Sequence, residues 1–127
     1  MKKFVRLVLV CVLFNFLYHP VYSQDMAKVA PEVCKVLQDT LNVKMTMVTL
    51  HPGDKLPTHT HPTCMVYFLT GGKLSETLNG KTTAMDFKPG THLMVGPMPP
   101  HSDENVGDTD LIFLLVEIGQ SPNLTAR

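Results

Sequence analysis

Three of the six histidines in this chain sit where the polypeptide comes out of a turn. His59 and His61 lie two apart between Pro57 and Pro62, and His101 follows the run Gly96-Pro97-Met98-Pro99-Pro100, 40 residues after His61. On an extended segment, residues two apart point to the same side. Both imidazoles can therefore aim into one cavity, and His101 has to arrive there from a neighbouring strand. Three imidazoles converging on one point suit Zn, Fe, Cu, Ni or Co, with coordination positions left for water or substrate. An H-x-H pair on an exposed strand is otherwise plain polar surface, so spacing by itself leaves both readings open.

Other reactive side chains cluster near this trio in sequence. If the strand after His61 runs straight, counting by twos puts Met65, Tyr67 and Leu69 on the inward side and turns Cys64 and Phe68 away. An inward Tyr67 is a candidate catalytic residue, able to donate a hydrogen bond or a proton to a substrate. The bland alternative is a core tyrosine with its hydroxyl satisfied. Asp103 and Glu104 follow His101 and are read as a solvated loop, with support of the metal ligands as the alternative. His51 and His92 are read as structural or surface groups. No phosphate-cradling glycine loop, nucleophile elbow or paired-carboxylate signature is present.

The elements that must position these residues read as β throughout. Val43, Met45 and Met47 alternate with Lys44 and Thr46, a period of two. Short strands are expected at 65–69, 74–78, 81–87 and 92–95. Asn79-Gly80 is the strongest hairpin signal, because a type I′ turn needs positive φ at both central positions. The Gly-Pro-Met-Pro-Pro run reads as irregular. Leu111 to Ile118 is a nearly unbroken apolar strand, as expected of one covered on both faces. Val33 to Leu37 reads as a short strand or a turn of helix, and Gln24 to Pro31 as a loose leader. Many short strands with closely spaced turn signals point to an all-β sandwich or barrel. A length of 127 residues allows one domain, and 44% hydrophobic residues exclude a disordered chain.

The first 23 residues have a different character. They contain no Asp or Glu; Lys2, Lys3 and Arg6 precede an apolar run from Leu7 to Tyr18, and Val21-Tyr22-Ser23 ends the segment. This is the three-part build of a secretory signal peptide, with cleavage expected after Ser23 and a periplasmic or secreted destination. The apolar run falls short of the ~20 residues of a membrane-spanning helix; a retained anchor is the rival reading. Cys11 falls within the removed segment. Cleavage takes three of the eleven basic residues and none of the eleven acidic ones, leaving a net charge of −3. Nothing in that balance attracts nucleic acid, and no membrane partner is expected after cleavage. Cys34 and Cys64 remain, and export permits either a disulfide or two small buried thiols. Asn123-Leu124-Thr125 has the form of a glycosylation sequon and is read as chance.

Two stretches carry a family resemblance. Gly53-x5-His59-x-His61-Pro62, followed by Gly72, resembles the first motif of the cupins, and Gly90-x5-Gly96-x4-His101-x3-Asn105 has the spacing of the second. Together they cover about half of the chain. The resemblance implies a cupin-type double-stranded β-helix, an antiparallel jelly-roll barrel, over residues 41–120. Before it would lie a leader, 24–40, able to act as a dimer-exchange strand; after it, a short tail, 121–127. It also implies metal ligation by His59, His61 and His101, with a divalent ion (Fe, Zn, Cu, Ni or Mn) as cofactor. Family members with a full site carry a glutamate four residues after the second histidine, where this chain has Met65. The second motif has Gly96 and Met98 where the family usually has proline and glycine. A purely imidazole donor set leaves a dication its full charge and makes it a stronger Lewis acid.

Fold does not choose the activity within such a family. The first expectation is an exported metalloprotein acting on a small organic molecule, in the manner of a dioxygenase, isomerase or lyase. The alternative is a non-catalytic binding or sensing module with a degenerate or metal-free site. A homodimer is expected, since cupins often pair through sheet edges and exchanged N-terminal strands.

Overall fold

The computed structural model describes residues 24–119. The signal-peptide segment, Cys11 and the 121–127 tail with its sequon therefore lie outside the described residues. One short helix, α1 (Met26–Val29), precedes nine strands: β1 (Cys34–Thr40), β2 (Val43–Leu50), β3 (Lys55–His61), β4 (Cys64–Phe68), β5 (Gly72–Leu78), β6 (Lys81–Phe87), β7 (His92–Val95), β8 (Met98–Asn105) and β9 (Leu111–Ile118). They form two antiparallel sheets, in the orders β1-β2-β9-β4-β7 and β3-β8-β5-β6. This is the all-β jelly-roll architecture expected from the sequence. The core between the sheets holds Val48, Leu50, Leu56, Phe68, Leu74, Leu111, Phe113 and Leu115. The Phe68 ring stacks on Phe87 at 3.9 Å between centroids and lies 5.4 Å from Phe113.

The hairpin between β5 and β6 turns at Asn79 and Gly80, both with positive φ (51° and 74°), as a type I′ turn demands. Asn105, wholly buried, stitches the far end of the barrel. Its Nδ2 donates to the carbonyls of Leu50 and Thr109 at 2.8 Å, and its Oδ1 accepts from the Gly107 amide at 3.0 Å. The second motif's asparagine is thus a backbone clamp, set four residues beyond the last histidine.

Several expectations are corrected. The segment 24–31 is packed into the body of the protein. Asp25 caps α1 by accepting from the Ala27 amide at 3.0 Å, and Met26 and Ala30 are buried in the core. β1 pairs with β2 of the same sheet through a bulge between Val36 and Gln38. The strand β8 begins at Met98, so Pro99 and Pro100 lie within it; their missing N–H groups fall where the ladder with β3 is already irregular. On β2 the expected alternation holds, with Lys44, Thr46, Val48 and Leu50 inward and Met45 and Met47 on the outer side. β9 likewise buries only Leu111, Phe113, Leu115 and Glu117, while Ile112, Leu114 and Val116 stay half-buried on the outer face.

The most consequential correction concerns β4. Cys64 and Phe68 are buried, whereas Met65, Tyr67 and Leu69 are each more than 40% exposed. Counting by twos fails because Pro62 and Thr63 form a bend at which the chain leaves the sheet of β3 and enters the sheet of β9. The inward Cys64 then comes three positions after the inward His61, with Pro62 and Thr63 between them. Replacing Phe68 by Ala should therefore cost about 3–5 kcal/mol in urea unfolding, while Tyr67→Ala should cost about 1 kcal/mol or less. The reverse order would return Tyr67 to the interior.

Candidate metal centre

The site grows from the pairing of β3 with β8. In this register His59 lies opposite His101, and His61 opposite Met98. A shift between Leu56 and His59, at Pro57 and Thr58, turns both Leu56 and His59 inward although they are three positions apart. His59 and His101 are buried, and the His61 side chain is 8% exposed. The three rings lie 4.3–5.1 Å apart between centroids. One nitrogen from each falls within 4.8 Å of the other two.

What aims these nitrogens is the partner of each Nδ1. His59 Nδ1 lies 2.7 Å from the carbonyl of Pro57, and His101 Nδ1 lies 2.9 Å from the carbonyl of Pro99, in each case two residues back. His61 Nδ1 lies 3.1 Å from Glu117 Oε1 on β9. All three partners are oxygens that only accept, so each Nδ1 is assigned the hydrogen and donates it. Each Nε2 then keeps a bare lone pair directed inward. His59 Nε2 and His61 Nε2 are 3.1 Å apart, with no hydrogen assigned between them. Such a cluster of lone pairs is satisfied by a cation. This is the fit of the donor set to a divalent metal.

Burial holds His59 unprotonated down to about pH 4 and also lowers the pKa of His101, with the neighbouring imidazoles adding to both shifts. His59 and His101 are thus kept in the neutral form that a metal needs.

Two carboxylates, Asp103 and Glu117, complete the surroundings, and only the first was weighed from the sequence. Asp103, two residues beyond His101 on the same face of β8, is buried, not part of a solvated loop. Its Oδ2 lies 3.7 Å from His59 Nε2 and 3.8 Å from His101 Nε2. Burial, reinforced by Glu76 directly across on β5, pushes its pKa up to about 7. Glu117 is the second. An acid stands beside the three-imidazole set on β8, and another behind His61. Both were within reach of the same period-of-two count, run from His101 or from Leu111. Glu104, the next residue after Asp103, pairs with Lys55 at 3.5 Å on the outside.

Above the imidazoles lies a cavity of about 90 Å³. His61, His101, Asp103 and Glu76 make it polar at one end; Phe68, Leu74, Phe87 and Met98 make it apolar elsewhere. Tyr67 does not reach it, being on the outer side of β4, and the expected catalytic placement of its hydroxyl is corrected with that orientation. Cys64 turns inward and forms part of the wall. Burial pushes its thiol up to about 11 and that of Cys34 to about 12, so both behave as small apolar groups. Neither is bridged. His51 is exposed and bonds Asp110 at 2.8 Å, and His92 is exposed on β7, both as expected of groups outside the site.

A family model described as the cupin domain matches residues 46–117. The chain belongs to the cupin family. Among solved structures it is similar to a cupin domain from Bordetella pertussis Tohama I, at 24% identity over 68% of this chain and 91% of that one, with a TM-score of 0.64. It is also similar to an RmlC-like cupin family protein with a double-stranded β-helix fold from Methanocaldococcus jannaschii. There the identity is 18%, the coverage 86% and 93%, and the TM-score 0.61. A Klebsiella pneumoniae protein with a double-stranded β-helix domain matches at 24% identity, over 69% of this chain and 77% of that one, with a TM-score of 0.57. These likenesses establish the fold alone. No curated protein matches the chain.

The buried titratable groups set opposing pH dependences in the metal-free protein. Unfolded His59 takes up its proton near pH 6.5 and folded His59 only near 4, so its contribution to stability is lost as the pH falls between those values. Asp103 has the opposite sign. Folded, it keeps its proton up to about pH 7, against 3.8 unfolded, so its contribution is full below about 4 and is lost as the pH rises to 7. The two offset each other. Asp103→Asn removes one, so the chelator-treated variant should lose about 3–4 kcal/mol more than the native protein between pH 7 and 4, at ~1.4 kcal/mol per pKa unit. Urea unfolding at both pH values measures the difference; equal losses would contradict the assignment to Asp103.

Proposed function

We propose that this protein is an exported cupin that binds one divalent metal ion through His59, His61 and His101 and takes a small organic molecule into the cavity beside it. The observation that carries the reading is the convergence of three Nε2 lone pairs, each Nδ1 being committed to an oxygen acceptor. Export rests on the sequence of the first 23 residues.

A metal bound here would act as a Lewis acid, orienting a substrate oxygen or activating water or dioxygen. The chain's own residues supply the rest. Asp103 stands within 4 Å of two of the imidazoles, close enough to serve as a fourth, oxygen donor or as a proton partner to a ligand. The apolar wall excludes water and admits only a compact, partly apolar molecule. Among the described residues no serine, threonine or tyrosine hydroxyl lines the cavity, so proton transfer within it falls to carboxylates and imidazoles. β1 lies at the edge of its sheet with Val36 and Leu37 exposed. That position supports the expected pairing of two copies, and light scattering at high concentration should give twice the chain mass.

Elemental analysis of protein purified without a histidine tag should find about one equivalent of a transition metal per chain. His59→Ala and His101→Ala should each abolish it. At a free metal concentration of ~1,000 times Kd, the bound ion should stabilise the native protein by about 4 kcal/mol over the chelated form. Native protein that holds no metal under these conditions would instead make the histidines polar lining of a metal-free binding pocket.

A further inference from the structure

The interior holds a chain of charges that the metal ligands themselves do not require. Lys44 points into the barrel from β2, with its side chain 8% exposed. Its Nζ lies 2.6 Å from Asp25 Oδ1, the oxygen that also caps α1. On its other side Nζ lies 3.9 Å from Glu117 Oε2, and Glu117 Oε1 accepts from His61 Nδ1 at 3.1 Å. An ammonium and a carboxylate this deeply buried persist only when partnered on every side. Asp25, Lys44, Glu117 and His61 therefore form one connected line across α1, β2, β9 and β3.

His61 is the exception among the three ligands. His59 and His101 are oriented by local backbone, each through the carbonyl two residues earlier. His61 is oriented by a side chain 56 residues away. The same N-terminal segment touches the ligand strand a second time: the Thr60 amide, between His59 and His61, donates to the Gln24 carbonyl at 3.2 Å.

We propose that Glu117 is a positioning residue that fixes the Nδ1–H tautomer and ring orientation of His61, and that Lys44 and Asp25 hold it in place, making the N-terminal segment part of the frame of the metal centre. The effect on metal affinity rests on the metal-binding reading above; the effect on the tautomer does not. A carboxylate behind a ligating imidazole raises its basicity and removes the freedom of the ring to rotate away.

The test uses the full mature chain and two independent readouts. In metal-free protein, nitrogen-15 NMR of the imidazoles should show His61 with its hydrogen on Nδ1, and Glu117→Gln should give a mixture of tautomers. In competition with a chromophoric chelator, Glu117→Gln should bind Zn²⁺ about 10–100-fold more weakly than the native protein, and its Co²⁺ complex should show a shifted visible band. Glu104→Gln, on the outer side of β8, should change none of these. An unchanged His61 tautomer in Glu117→Gln, or native Zn²⁺ affinity together with a native Co²⁺ spectrum, overturns the proposal. If Glu117→Gln does not fold, Asp25→Asn at the more exposed end of the line carries the test, with a several-fold loss of Zn²⁺ affinity expected and native affinity counting against it. If the native protein binds no metal, the metal-binding reading fails by itself, and the tautomer alone decides the role of Glu117.

Discussion

Antiparallel pairing of β3 with β8 sets His59 across from His101 and brings two distant parts of the chain to one point. The pairing would be ordinary if the ladder ran evenly. Instead it is interrupted on both sides of His59, and the prolines at 57 and 99 sit beside the two histidines they serve. A proline has no N–H to give to a ladder, but its carbonyl remains available. Here each of those carbonyls takes the Nδ1 hydrogen of the histidine two residues on. The irregularity thus leaves the opposite nitrogen of each ring facing inward, where His59 Nε2 lies 3.1 Å from His61 Nε2.

Around that point the barrel interior departs from the usual division of apolar inside and polar outside. Lys44, Thr46, Asp103, Asn105 and Glu117 are all buried. Meanwhile Met65, Tyr67, Leu69 and Met94 lie on the exposed side. Each buried polar group has a partner, and among the described residues no buried side-chain nitrogen or oxygen lacks one. The low dielectric of the interior makes such partnerships strong and their loss costly. Polar groups gather near the imidazoles, while the hydrophobic cluster of Phe68, Phe87 and Phe113 fills the rest of the space between the sheets.

Much of this was legible in the residue order, and the misses have specific causes. The Asn79-Gly80 hairpin needs only two residues and its conformational demand is local, so it is read directly. The three converging histidines were legible because H-x-H on a strand is a short-range pattern and the spacing to His101 belongs to a recognisable pair of motifs. Tyr67 was misplaced because the count that puts it inward assumes one continuous strand through Pro62 and Thr63, where the chain in fact changes sheets. The inward face of β2, and with it the burial of Lys44, was not legible because an alternating strand does not say which of its faces meets the core. Asp103 carried a usable signal, being two residues from His101, but lay beside an exposed glutamate that made the stretch look like a loop.

By itself the sequence determined the β class, the turns, the family motifs and the identity of three imidazole donors, because each depends on spacing within a few residues or on a pattern shared by a whole family. Only the tertiary structure decided which side of each strand faces inward, since that follows from bends and bulges that break the period of two. It alone brought Glu117 behind His61 and Asp103 beside the donor set. Those contacts join residues whose separation along the chain carries no information until the two sheets close on each other.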